Sequence, residues 1–165
     1  MKNLLYIMFV SFCFLQCGKD RVCPDGYTGS NCDKEVRPKR ILLDVIEFSS
    51  WPQFKNGGSK WDTGTGASSN PDLYFEIYNG ANNIYFSQIY NNVTFGETVK
   101  DIPFISLESN TLYSLLVFDD DGINGLELMG SVDLPKWLEG DDFPTEQYFI
   151  GNEFVVKYTV RYEFK

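Results

Sequence analysis

Histidine is absent from this 165-residue chain. Its absence removes the commonest general base and the commonest ligand of transition metals, and with them any serine or cysteine nucleophile activated by an imidazole. Cations are scarce too, with 14 Lys and Arg against 23 Asp and Glu and a net charge of −9. A nucleic-acid surface needs clustered cations that release counterions from phosphates. No nucleic-acid partner is therefore expected. Apolar runs of the roughly 20 residues needed to cross a bilayer as a helix are also missing, and no amphipathic helix longer than about two turns can be read along the chain.

The longest apolar run, "LLYIMFVSFCFL" from Leu4 to Leu15, follows Lys2 and leads into "FLQCGKD". At about 12 residues it has the length of the hydrophobic region of an export signal. A leucine two places before a cysteine at the end of such a run resembles the lipobox of bacterial lipoproteins, with Gln16 where Gly, Ala or Ser is usual. The resemblance implies a signal peptide over residues 1–16, a lipid on Cys17 and anchorage to a membrane of the bacterial cell envelope, as an outer-membrane lipoprotein facing the periplasm or the outside. An ordinary signal peptide or an uncleaved anchor are the alternatives. Thiol parity favours the lipid. Cys13 leaves with the signal, and acylation of Cys17 leaves Cys23 and Cys32 as one pair for a disulfide in an oxidising compartment.

Those two cysteines bracket "CPDGYTGSNC". The spacing of Cys23, Gly26, Tyr27, Gly29 and Cys32 resembles the closing loop of an EGF-like module, without its four earlier cysteines. Such a stub buries too little to fold without its staple. With the charged hinge "DKEVRPKR" it is expected to form a spacer over residues 17–39.

Residues 40–165 read as strands. "RILLDVIEF" is a nearly continuous apolar strand, and "DLYFEIYN", "NIYFSQIYNN", "DIPFISL", "TLYSLLVF", "ELMGSVDL" and "QYFIG" follow between Gly, Asn, Asp and Pro. The last, "EFVVKYTVRYEF", places Phe154, Val156, Tyr158, Val160, Tyr162 and Phe164 on one face. The expectation is an all-β fold, an antiparallel eight-stranded sandwich of two sheets, with "PKWLEG" as one helical turn. An aromatic last strand also suits an outer-membrane barrel, but the apolar first strand fits a packed core better. One connection is long. Residues 49–71 are rich in Gly, Ser and Thr yet contain Trp51, Phe54 and Trp61, and loops beyond about 12 to 15 residues are usually functional or disordered.

Chemistry concentrates in "LLVFDDDGINGLELMG", residues 115–130. Asp119 and Asp121 share one face of an extended chain and Asp120 the other. Adjacent carboxylates repel unless water or a cation separates them, and calcium takes about six to eight oxygens from converging loops. The EF-hand pattern fails, because with Gly122 as its central glycine the first and last ligands would be Val117 and Leu128. The spacing of Asp119, Asp121, Glu127 and Gly130 instead resembles the third calcium loop of C2 domains. "NPDLYFEI" resembles the end of their first loop at Asp72 and Tyr74, with Leu73 where the family has proline. The family's earlier aspartate falls on Gly66, and Asp62 is the nearest acid to take its place.

The resemblance implies a C2-like, calcium-binding module with Asp62, Asp72, Asp119, Asp121 and Glu127 as ligands. Trp51, Phe54, Trp61, Ile123 and Leu126 would sit at loop tips that touch a partner protein, a glycan or a lipid surface. Five acids with no basic partner look like a cation cage rather than an acid–base pair, so no enzyme activity is expected. The competing expectation is a calcium-independent structural or adhesive sandwich with hydrated aspartates.

Overall fold

The computed structural model describes residues 22–62 and 69–164; the expected signal segment and Cys17 lie outside the described residues, as does the side chain of Ile123. The chain divides into two units, Met1–Val36 and Arg37–Lys165. This boundary precedes the expected one after Lys39. Residues 37–39 join the second unit because Lys39 N–H donates to Glu163 O at 2.7 Å and Ser109 N–H to Lys39 O at 3.2 Å.

In the first unit Cys23 and Cys32 are disulfide-bonded, with their Cα atoms 5.3 Å apart. Inside the loop they close, β1 (Tyr27–Thr28) pairs antiparallel with β2 (Lys34–Glu35), which lies just beyond Cys32. Both glycines of the cysteine loop are needed by the backbone: Gly26 has φ +89° and Gly29 φ +93°. A side chain on Gly29 would also meet the Asp33 carboxylate.

The second unit is all-β among the described residues, with nine strands. They are β3 (Arg40–Ser50), β4 (Leu73–Asn79), β5 (Asn82–Phe86), β6 (Val99–Asp101), β7 (Ile105–Glu108), β8 (Tyr113–Asp120), β9 (Leu126–Asp133), β10 (Glu146–Gly151) and β11 (Phe154–Glu163). All pairings are antiparallel. One sheet runs β10-β11-β3-β6 with β7 also on β3, the other β5-β4-β8-β9. β6 and β7 lie along successive stretches of β3, pairing with Ile46–Phe48 and Arg40–Leu43. The single strand expected over "DIPFISL" is thus broken: Pro103 has no N–H to donate, and Phe104 takes φ +46°. The helical turn expected at "PKWLEG" is absent, and only Glu139–Gly140 turn. Gly140 is left-handed, φ +93°, and the Asp141 N–H bonds back to Leu138 O at 3.3 Å, which closes this stretch as a turn.

The first strand looks apolar at both parities for a local reason. The β3 to β11 register shifts between Thr159 and Val160, skipping Asp44. This bulge lets Ile41 and Leu43, then Ile46 and Phe48, all enter the core. Phe154, Val156, Tyr158 and Val160 of β11 face them, as alternation required. From the second sheet come Leu73, Phe75, Ile77, Leu115 and Val117. Phe48 bridges the layers, with ring centroids 5.1 Å from Phe75 and 6.5 Å from Phe154.

Candidate functional site

Inward-facing residues on β8 run Leu115, Val117, Asp119. Alternation therefore carries a carboxylate into the last core-facing position of a central strand, where Asp119 is 0 % exposed. One of its oxygens, Oδ1, accepts the Asp72 backbone N–H at 2.7 Å. The other, Oδ2, is buried and has no hydrogen-bond partner among the described residues. Asp72 also accepts, through its backbone oxygen, the Asp120 N–H at 2.9 Å. The start of β4 thereby clamps the end of β8.

Beyond Asp120 the chain makes one 3-10 turn, Gly122–Asn124, with Gly122 at φ +60° and Gly125 at φ +96°. The Asp121 N–H donates to Gly125 O at 3.0 Å and closes the turn. Asp120 points away from Asp119 and Asp121, and its Oδ1 accepts the Gly122 N–H at 2.9 Å.

The long connection brings the third acid. Trp51 and Trp61, expected at loop tips, are 1 % and 6 % exposed. Large aromatic rings in a polar loop gain more by burial than by exposure. The Trp61 indole N–H donates to Pro52 O at 2.8 Å, which folds the segment back on itself. Its far end is a tight turn at "KNGGS": Lys55 N–H bonds to Ser59 O and Gly58 N–H to Lys55 O, with Gly57 and Gly58 at φ +110° and +85°. Asp62, next to Trp61, then meets Asp119 and Asp121. One carboxylate oxygen from each of the three lies within 4.8 Å of the others.

This convergence has an electrostatic cost. Burial, then the neighbouring carboxylates, push Asp119 up to about 6, against the opposing pull of the Asp72 N–H. Burial also raises Asp62, followed by the charges of Asp72 and Asp121. Nearby sits a cation that the sequence did not single out. Lys55 forms an ion pair with Glu127 and lies 5.7 Å from the centre of the Trp61 ring. The Glu127 hydrogen bond raises its pKa first, and Asp121 and Asp119 add to the rise.

Two expected ligands therefore do not join the acidic group. Asp72 turns its carboxylate to the Asn92 backbone N–H, and Glu127, though opposite Asp119 in register, is taken by Lys55. The expectation of acids without a basic partner is corrected as well. A lysine followed by two glycines in a long loop was the available signal. Its partner lies 72 residues away. Of the remaining expected tips, Phe54 and Leu126 are about half exposed, at 51 % and 48 %. Gly130 lies within β9 against the Phe154 ring, where a side chain would collide at 2.9 Å.

Three carboxylates without sulfur or nitrogen donors suit a hard cation, and the orphaned Asp119 oxygen is the kind of group an ion satisfies. They bring fewer free oxygens than the about six to eight calcium takes. Water or a further side chain would have to complete the shell.

Fold and site together define an antiparallel β-sandwich with an acidic cluster at its strand ends. No family model matches the chain, and no curated protein matches it significantly in sequence. Among solved structures it is similar to human GIVD cytosolic phospholipase A2, at 11% identity and TM-score 0.43, over 77% of this chain. The chain spans 17% of that protein's length. It is also similar to a C2 domain of plant Extended Synaptotagmin 1, at 11% identity and TM-score 0.41, over 79% of this chain and 100% of that one.

Proposed function

We propose that residues 40–165 form a C2-like module that binds calcium between its strand-end loops and uses those loops to bind or adhere to a partner or surface. The observation that carries this is the fully buried Asp119, one oxygen of which has no protein partner, facing Asp62 and Asp121. The acid spacing from Asp72 to Gly130 supports the C2-like assignment. Asp62, Asp119 and Asp121 would hold the ion, and the Asp72 N–H positions Asp119. A bound calcium supplies positive charge that offsets carboxylate repulsion and attracts anionic groups of a partner. Phe54, on the long loop, and Leu126, at the start of β9, offer apolar contact beside it.

Binding rather than catalysis is proposed. Asp62 and Asp119 are both shifted upward, whereas an acid–base pair needs pKa values pushed apart. We further propose that the module is exported and lipid-anchored in the cell envelope. The Leu4–Leu15 run and the cysteine parity support this, and mass spectrometry of membrane-extracted protein should find an acylated Cys17; a different amino terminus would exclude it.

One observation favours a second reading, a calcium-independent adhesive sandwich: Lys55 already brings a positive charge to the acids. Isothermal titration with calcium separates the two. The first expects saturable binding that Asp121→Asn largely removes. No binding by the wild type leaves the second.

A further inference from the structure

We infer that Lys55 is the resident counterion of the acidic cluster, held there in the ion-free state and displaced when a divalent cation enters. The inference rests on the cation-binding reading of the same site and adds its regulation. The "KNGGS" turn, which requires Gly57 and Gly58 in left-handed conformations, presents the Lys55 ammonium to Glu127, the residue opposite Asp119 in register. There it pairs with Glu127 and feels Asp121 and Asp119, with the Trp61 ring at 5.7 Å.

A divalent cation among Asp62, Asp119 and Asp121 would repel the ammonium held beside them. Entry of the ion therefore weakens the lysine's hold on Glu127. The register sets Glu127 opposite Asp119, so the freed carboxylate lies on the strand that borders the cluster and supplies oxygen the three aspartates lack. Lys55 and Glu127 also line a groove of about 750 Å³ between the long loop and β9, with Phe54, Trp61, Leu128 and Phe154.

The test compares wild type, Lys55→Met and Lys55→Arg in the full chain, with calcium chloride as probe. Removing the charge should tighten calcium binding by about tenfold or more, measured by isothermal titration, and lower the melting temperature in chelator. Lys55→Arg should resemble the wild type in both. Tighter binding with lower chelator stability supports displacement. Unchanged or weaker calcium binding by Lys55→Met, with the wild type binding, overturns it. If neither protein binds calcium, the cation reading itself fails and the chelator arm decides the counterion role. A Lys55→Met protein that melts with the wild type overturns that role. One that melts lower, and is restored by adding Asp121→Asn, supports it.

Discussion

Asp44 and Asp119 both sit on central strands, and their surroundings are opposite. On the outer face of the five-stranded sheet every acid of the ladder has a base. Arg161 holds Asp44 through two hydrogen bonds of 2.6 and 2.7 Å. Arg40 serves Glu108 and Glu163, and Lys157 serves Glu47 and Glu146. At the strand ends of the other sheet three acids converge, and their nearby lysine is paired with a fourth. The shifts follow. The Arg161 hydrogen bond draws Asp44 below the usual carboxylate range, while burial lifts Asp119 to about 6. A surface acid with a matched base is a solubility feature of small energetic weight. A buried acid without one stores free energy that a ligand can release.

The largest test of this contrast is the pH dependence of stability in chelator. Asp119 has a folded pKa above its unfolded one, so the native state holds its proton longer. Its effect is nil below about pH 4, and stability falls as pH rises through about 6. The shift from 3.8 to about 6 corresponds to about 3 kcal/mol at most. Asp119→Asn keeps an acceptor for the Asp72 N–H and should flatten this fall, measured by urea unfolding between pH 4 and 7. A wild-type profile that already rises over this range would place Asp119 with Asp44.

Calcium should reverse the penalty. At a free concentration 100 times the dissociation constant, binding to the native state alone stabilises by about 2.7 kcal/mol. Asp121→Asn should lose most of that gain. Asp120→Asn should retain it, because Asp120 caps the Gly122 N–H outside the cluster. Equal melting temperatures with calcium and with chelator would leave only the hydrated-loop alternative.

The smallest effect is expected on the paired face. Arg161→Met should lower the melting temperature slightly, and less so in high salt, since the pair is exposed and screened. The Asp44 contribution has the opposite sign in pH: its folded pKa is depressed, so it stabilises above the unfolded value and is lost as pH falls through the folded one. A large, salt-insensitive loss in Arg161→Met would erase the contrast between the two regions.

Much of this was legible in the chain because strand alternation is local. The last strand's buried face, the disulfide loop, and the split of Asp119 and Asp121 from Asp120 all follow from the two-residue period and from glycine spacing. Asp62 was reachable only as the nearest acid in a long loop. The sequence by itself determined an all-β chain with acids at the end of a core-facing strand. It could not determine which acids converge, that Trp51 and Trp61 turn inward, that Asp44 is bulged, or that Phe104 breaks a strand. Those depend on pairings between segments far apart, such as Lys55 with Glu127, whose energies exist only once both sheets are packed. Only the tertiary structure decided that Asp72 and Glu127 are claimed by Asn92 and Lys55, leaving Asp119 with an unsatisfied oxygen.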